Sequence, residues 1–340
     1  MKKSFLTLLI LTFSTISAIA QGCPSPSSAT ASVTFKRRVP GTLTGNFTIN
    51  ASGDKVAFAQ GNLQYRATAD GTGTDLEHNV AGGGTAQGIW RFAEHQYDFV
   101  GNGTYGNVYV KINGEDVKCD NTQISSTYTG WIDMFGFATS GYNNKHPYMS
   151  SENNSDYEGN SSRPCGMNGT NYDWGVYNAI SNGGELGSWR TLTQAEWQYI
   201  VGYYQSPKNS DVSRRENADN LRTLAKVNGV DGLIIMPDGW TEDDVHLEIT
   251  MDDFTSNVIN TSNWDKLEKQ GCVFLPKFGQ RNGTTANGGA ATYWASEWIN
   301  SSGTSGNAPD FVFWDTQLYI VAGGMYKRCG CLVRLVKDVE

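Results

Sequence analysis

The sequence predicts an α+β, loop-rich body with a mainly antiparallel sheet and few helices, and three observations carry that prediction. The first is composition: 39 glycines, ten tryptophans, 16 tyrosines and 14 phenylalanines accompany charged residues at only 18%. Short strands joined by glycine turns need bulky rings to fill a core, whereas long helices are rich in Ala, Glu, Lys and Leu. The second is the pair Asn113-Gly114 and Asn228-Gly229, each between β-prone residues. Both central positions of a type I′ hairpin turn require positive φ, which Asn and Gly tolerate best. The third is residues 187–204, GSWRTLTQAEWQYIVGYY. There Thr193 and Glu196 have the spacing of a capping box, and Leu192 and Trp197 that of a hydrophobic staple. Trp197, Ile200, Val201 and Tyr204 follow at helical spacing, so residues 193–204 are expected to pack one apolar face on the sheet.

In chain order, the first 20 residues read as a secretory signal peptide. Lys2 and Lys3 precede an apolar run over residues 5–16, and Ala18-Ile19-Ala20 gives an A-x-A site with cleavage after Ala20. Acylation at Cys23, making a lipoprotein, is the alternative. No later run has the ~18 apolar residues that cross a bilayer, so the mature chain is expected to be secreted or held in the cell envelope. Residues 21–44 read as a linker rich in Ser, Ala, Thr and Pro. Residues 45–340 are expected to form a single domain, with insertions near 66–88, 101–123 and 140–170.

Within that domain, alternation at Val56, Phe58, Leu63 and Tyr65 around Gln60-Gly61-Asn62 predicts a strand pair with a tight connection. Residues 67–88 are polar and Gly-rich, and are expected to be an irregular, exposed loop. Trp90, Phe92, Tyr97 and Phe99 resume strand character. Residues 210–224 are expected to contain a weaker helix and 233–236 a buried strand. Residues 262–270 predict a short helix capped by Thr261 or Ser262 and ended by Gly271. A last strand is expected over 332–336.

Charge and cysteine usage narrow the function. The net charge of −8, with one basic run at Lys36-Arg37-Arg38, argues against nucleic acid as a partner. Cysteines lie at 23, 119, 165, 272, 329 and 331, and histidines at 78, 95, 146 and 246, without C-x-x-C or H-x-x-x-H. No metal and no cofactor are therefore expected. Export permits disulfides, and Cys331 or Cys329 could reach Cys272; Cys272 with Cys331 is the candidate pair. The acidic residues 242–244, 252 and 253 lack the ligand spacing of a calcium loop.

The blocks DKVAFAQGNLQYRA, WRFAEHQYDFVG, SWRTLTQAEWQYI, AKVNGVDGLIIMPDGW, GCVFLPKFGQRNGT and CLVRLVKD, in that order, resemble a multi-copy class of exported proteins of anaerobic gut bacteria. More distantly, residues 190–197 and the closing LVRLV are similar to segments of formylglycine-generating and sulfatase-modifying proteins. Both resemblances imply a C-type-lectin-like fold. The chemistry of the second group does not carry over. Those enzymes use two cysteines four residues apart, whereas the close pair here is Cys329-Gly330-Cys331.

The expected function is recognition of a glycan or a surface protein partner by aromatic-rich C-terminal loops. Its residue basis is Tyr293, Trp294, Trp298, Trp314, Tyr319 and Tyr326 among Gly, Ser and Asn, since aromatic rings stack on sugars and anchor partners at small entropic cost. The ligand-binding candidates are Trp298, Trp314 and Tyr319, with Asn300, Asp315 and Gln317 as hydrogen-bonding neighbours. The alternative is an envelope enzyme acting on sugar or sulfated substrate, for which Glu94, Asp98 and Asp133 are candidate carboxyls. No catalytic residue is assigned.

Overall fold

The capping box forms as its spacing predicts. In a computed structural model that describes residues 40–149, 166–202, 213–296, 306–315 and 317–339, the Thr193 hydroxyl accepts from the Glu196 amide at 3.1 Å. The Glu196 carboxylate accepts from the Thr193 amide at 2.7 Å. Helix α2, Gln194–Val201, starts there, buries Trp197, Ile200 and Val201 and ends at Gly202, short of the expected 204; Tyr204 lies outside the described residues. It is preceded by a single turn, α1 (Trp174–Tyr177), and followed by α3 (Thr261–Lys269). Removing the Thr193 cap as Thr193→Ala is expected to cost about 1 kcal/mol in urea denaturation, with Thr193→Ser close to wild type.

The described residues belong to one compact unit, residues 38–340, assembled mainly from antiparallel sheets. One four-stranded sheet has the order Phe47–Thr48, Lys55–Phe58, Leu335–Val339, Arg190–Thr191. Its pairing of Phe58 with Val336 and Lys55 with Val339 joins distant parts of the chain. A second has the order Val258–Ile259, Arg222–Val227, Val230–Ile235, Val273–Pro276, and its one parallel pair is Val258–Ile259 with Lys226 and Val227. Three-stranded sheets join Ile89–Phe92, Leu63–Arg66 and Trp131–Ile132, and Ala291–Trp294, Asn307–Trp314 and Gln317–Tyr326. Both Asn-Gly hairpins form: Asn113 and Gly114 have φ of 53° and 90°, Asn228 and Gly229 48° and 83°.

The largest apolar cluster centres on α2. Trp197 is fully buried, stacked on Phe311 with ring centroids 4.8 Å apart and tilted against Phe58 at 5.7 Å. Arg190 fixes the helix to the first sheet: its guanidinium makes two 2.8 Å bonds to Glu196 and reaches Asp338 at 2.7 Å. A second cluster surrounds Trp90, Phe135, Trp174 and Trp189; a third packs α3, through Trp264 and Leu267, on the second sheet.

Several expectations are corrected. Lys55–Phe58 and Leu63–Arg66 are not a strand pair but belong to different sheets, because the intervening Asn62 is buried and binds Arg334 (3.0 Å) and the Tyr293 hydroxyl (3.2 Å). The run 67–88 is about half exposed, with Ala67, Thr68, Gly73, Val80 and Gly88 buried, and is not irregular throughout. Asp75 accepts from the Ala69 amide and Asp70 from the Thr72 amide, and Glu77–Asn79 pairs with Thr85–Gln87 as a hairpin. His78 ties that hairpin to the body through Asn178, at 2.7 Å. Within 210–224, residues 210–212 lie outside the described ones, Ala218–Asn220 forms a single 3-10 turn and residue 222 begins a strand. The cap of α3 is Asn260, not Thr261 or Ser262; Gly271 does adopt φ 91°.

The closing strand is Leu335–Val339, not 332–336. Arg334 turns its guanidinium inward to Asn62, the Ala59 and Phe274 carbonyls and Gln96, at 2.8–3.3 Å, which interrupts strand geometry before residue 335. Cys272 and Cys331 are not joined: each is a buried free thiol, Cys272 in the cluster around α3 and Cys331 in the cluster around Trp90.

Candidate functional site

The sheet Ala291–Trp294, Asn307–Trp314, Gln317–Tyr326 has two different faces, as the pleat of a strand dictates. One phase, Tyr293, Phe311 and Phe313, is core; Tyr293 stacks on Phe313 with centroids 6.4 Å apart. The other phase, Asp310, Val312 and Trp314 with Thr292 of the neighbouring strand, lines a cleft of about 470 Å³. The opposite wall is Gln280 and Asn287 of the hairpin Gln280–Asn282/Thr285–Asn287, with Gly288 and Gly289 after it. A register shift between Ala308 and Asp310 leaves extra residues on the facing strand, and Gly324 and Met325 there also line the cleft. Bulges of this kind re-aim side chains beside sites.

Asp310 is the chemically distinctive residue of this cleft. It is 1% exposed, and among the described residues no group donates a hydrogen bond to its Oδ1. Burial, only partly offset by its own backbone amide, pushes its carboxyl up to about 7. A buried acceptor without a donor costs about 1–3 kcal/mol, a cost that a ligand hydroxyl or amide can cancel.

The sign of the resulting pH dependence follows from that shift. The folded carboxyl titrates above an unfolded one, so between about pH 4 and 7 the unfolded chain loses this proton first and stability falls as pH rises. Asp133 and Asp173, each pushed up to about 6 by burial, act in the same direction. Asp310→Asn is therefore expected to gain on the wild type as pH rises from about 4 to 8, by roughly 2–4 kcal/mol. Denaturant melts of the two proteins at both pH values test this; a constant difference would refute it.

The predicted residues divide as follows. Trp314 is half-buried and lines the cleft. Gln317 pairs with it across the hairpin, and the exposed Asp315 is in the turn; neither lines the cleft. The Tyr319 backbone pairs with Val312, while its side chain, and all of Trp298 and Asn300, lie outside the described ones. Tyr293 and Trp294 are core, the Trp294 indole donating to the Phe135 carbonyl at 2.6 Å, and Tyr326 is 50% exposed. The candidate carboxyls do not converge on the cleft. Asp133 is fully buried and accepts from Val100 and Asn121, Asp98 faces His95, and Glu94 pairs with Arg91.

Asp310, Gln280 and Asn287 were not among the expected site residues. Asp310 did leave a signal: in NAPDFVFW it is the one charged residue, in phase with Val312 and Trp314. A separate cleft of about 400 Å³ holds Thr48, Arg215 and Asp238. There Asp238 accepts from the Thr48 amide and hydroxyl at 2.8 and 2.7 Å and pairs with Arg215 at 3.2 Å, a set closed on itself. Among the described residues no three His, Cys, Asp or Glu side chains gather as a metal cage, and no helix is long and apolar enough to cross a membrane. No family model, curated protein or solved structure matches this chain.

Proposed function

We propose that this chain is an exported recognition protein with a C-type-lectin-like body, whose cleft between Trp314 and the hairpin 280–287 binds a neutral glycan. The leader-like pattern of residues 1–20 supports export, and the antiparallel, helix-poor architecture is compatible with the lectin-like reading. The observation that carries the binding reading is the Asp310 Oδ1, without a donor among the described residues, in a cleft of ligand size with an indole at its wall. Gln280 and Asn287 add amide groups, so an apolar surface and a few orienting polar groups occur together, the usual composition of a ligand site. Net charge −8 disfavours polyanions.

The envelope-enzyme reading leans on the same carboxyl, whose raised pKa suits a proton donor. Glycoside hydrolysis requires a second carboxyl about 5–10 Å away, and among the described residues lining this cleft Asp310 is the only one. Binding without turnover is the better account.

The test is a glycan array probed with the chain from residue 21. Trp314→Ala is expected to weaken capture at least about fivefold, the scale of a lost aromatic anchor, with little change in Tm because the ring is only half-buried. Equal capture by both proteins would remove the site, and release of reducing sugar would favour the enzyme.

A further inference from the structure

A second cleft, of about 510 Å³, lies on the other side of Gly288, which lines both. Its walls come from the 99–107 loop, the Asn228-Gly229 turn and residues 277 and 278. The chain from 278 to 280 runs from one cleft to the other: Phe278 lines the second, and Gly279 and Gln280 the first. Each volume falls within the roughly 300–1,000 Å³ of small-ligand sites.

The second cleft repeats the composition of the first. Phe99 and Phe278 pack with centroids 5.2 Å apart, and Tyr105 at the wall is 63% exposed, the most exposed aromatic ring among the described residues. Asp231, paired with Lys226, and Lys277, whose ammonium lies 5.6 Å from the Phe254 ring centroid, supply polar groups. The backbone of Tyr105 is fixed by a hydrogen-bonded turn. Asn102 accepts from the Tyr105 amide at 3.0 Å, and its own side chain donates to the Ala286 carbonyl at 2.9 Å, tethering the loop to the hairpin between the clefts. Gly101 and Gly106 have φ of 70° and 117°, and a Cβ on either would lie 2.0 Å from a backbone oxygen. The turn therefore presents its ring at small entropic cost on binding.

Between the two aromatic walls the surface is low. Gly288 and Gly289 are exposed, neither adopts positive φ, and a Cβ built on either meets nothing within 4 Å. Backbone conformation does not demand glycine there, so what glycine provides is clearance.

Resting on the glycan reading above, we propose that the two clefts are subsites of one groove and that the ligand is a linear oligosaccharide lying across Gly288-Gly289. One sugar unit meets Trp314 and Asp310, and another meets Tyr105. A chain held at one end places its other end at high effective concentration over the second cleft, so affinity grows with length without new kinds of contact.

The experiment measures the affinity of linear cello-, xylo-, manno- and malto-oligosaccharides, from disaccharide to hexasaccharide, for four proteins. For the wild type, affinity for the bound series is expected to rise at least about tenfold from the shortest to the longest. Tyr105→Ala, at a residue that lines only the second cleft, should abolish that rise and leave disaccharide affinity within about twofold; Gly288→Phe, sterically free to fold, should also abolish the rise. Trp314→Ala should weaken every length. Capture of short and long chains with equal affinity, or a Gly288→Phe protein that keeps the full rise, overturns the two-subsite groove and leaves the glycan reading standing. Failure of every sugar to bind, or capture of peptides only, overturns both.

Discussion

Arg334→Ala is expected to destabilise the fold by at least about 3 kcal/mol, the cost of stranding several buried polar groups. The guanidinium is 1% exposed and has no carboxylate partner among the described residues. It is held by Asn62 Oδ1 at 3.0 Å, the Ala59 carbonyl at 3.1 Å, Gln96 Oε1 at 3.3 Å and the Phe274 carbonyl at 2.8 Å. Burial pushes its pKa down to about 10, so it stays charged at neutral pH. Truncation empties a large site and removes a donor from each of four acceptors contributed by separated parts of the chain. Lysine cannot restore them, because an ammonium lacks the planar fork that meets four acceptors at once. Arg334→Lys should thus recover less than half of the loss. Chemical denaturation of the three proteins decides it, and a loss below about 1 kcal/mol for Arg334→Ala would mean that solvent reaches the site.

Trp197→Ala is expected to cost about 3–5 kcal/mol, the range for emptying a buried indole site. The ring lies between α2 and two sheets, in contact with Phe58, Tyr293 and Phe311 at centroid distances of 5.7, 6.4 and 4.8 Å. Its Nε1–H is buried without an acceptor among the described residues. That detail separates two substitutions: Trp197→Phe gives up volume but no hydrogen bond, so it should retain most of the stability that Trp197→Ala loses. A Trp197→Phe protein as unstable as Trp197→Ala would show that the indole makes a polar contact.

What could be read from the sequence was local. The capping box, both Asn-Gly turns and the glycine that ends α3 depend on residues within a few positions of one another, and each formed. The start of the closing strand and the split between residues 58 and 63 were misread because they depend on Arg334 and Asn62, whose partners lie far away in the chain. The continuous apolar run 311–314 does not reveal which phase of a strand meets a cleft; of the rings expected there, Tyr293 and Trp294 belong to the core. Asp310 lay outside the expected site because an acidic residue within an apolar run gains its meaning only once the bulge and the facing hairpin are in place.

The strand Leu335–Val339 lies inside its sheet, between Lys55–Phe58 and Arg190–Thr191, not at an edge. During synthesis, residue 58 therefore waits for residue 336, and until it arrives both flanking strands present unpaired amides and carbonyls to other chains. Closing so long a loop is entropically costly before any contact repays it, and topologies dominated by such pairings fold slowly. A chain ending before residue 335 would be trapped in that open form, a sheet with a gap where its middle strand belongs, and such gaps are templates for intermolecular pairing. A late-folding chain of this kind stays threadable for as long as its carboxyl-terminal segment is withheld.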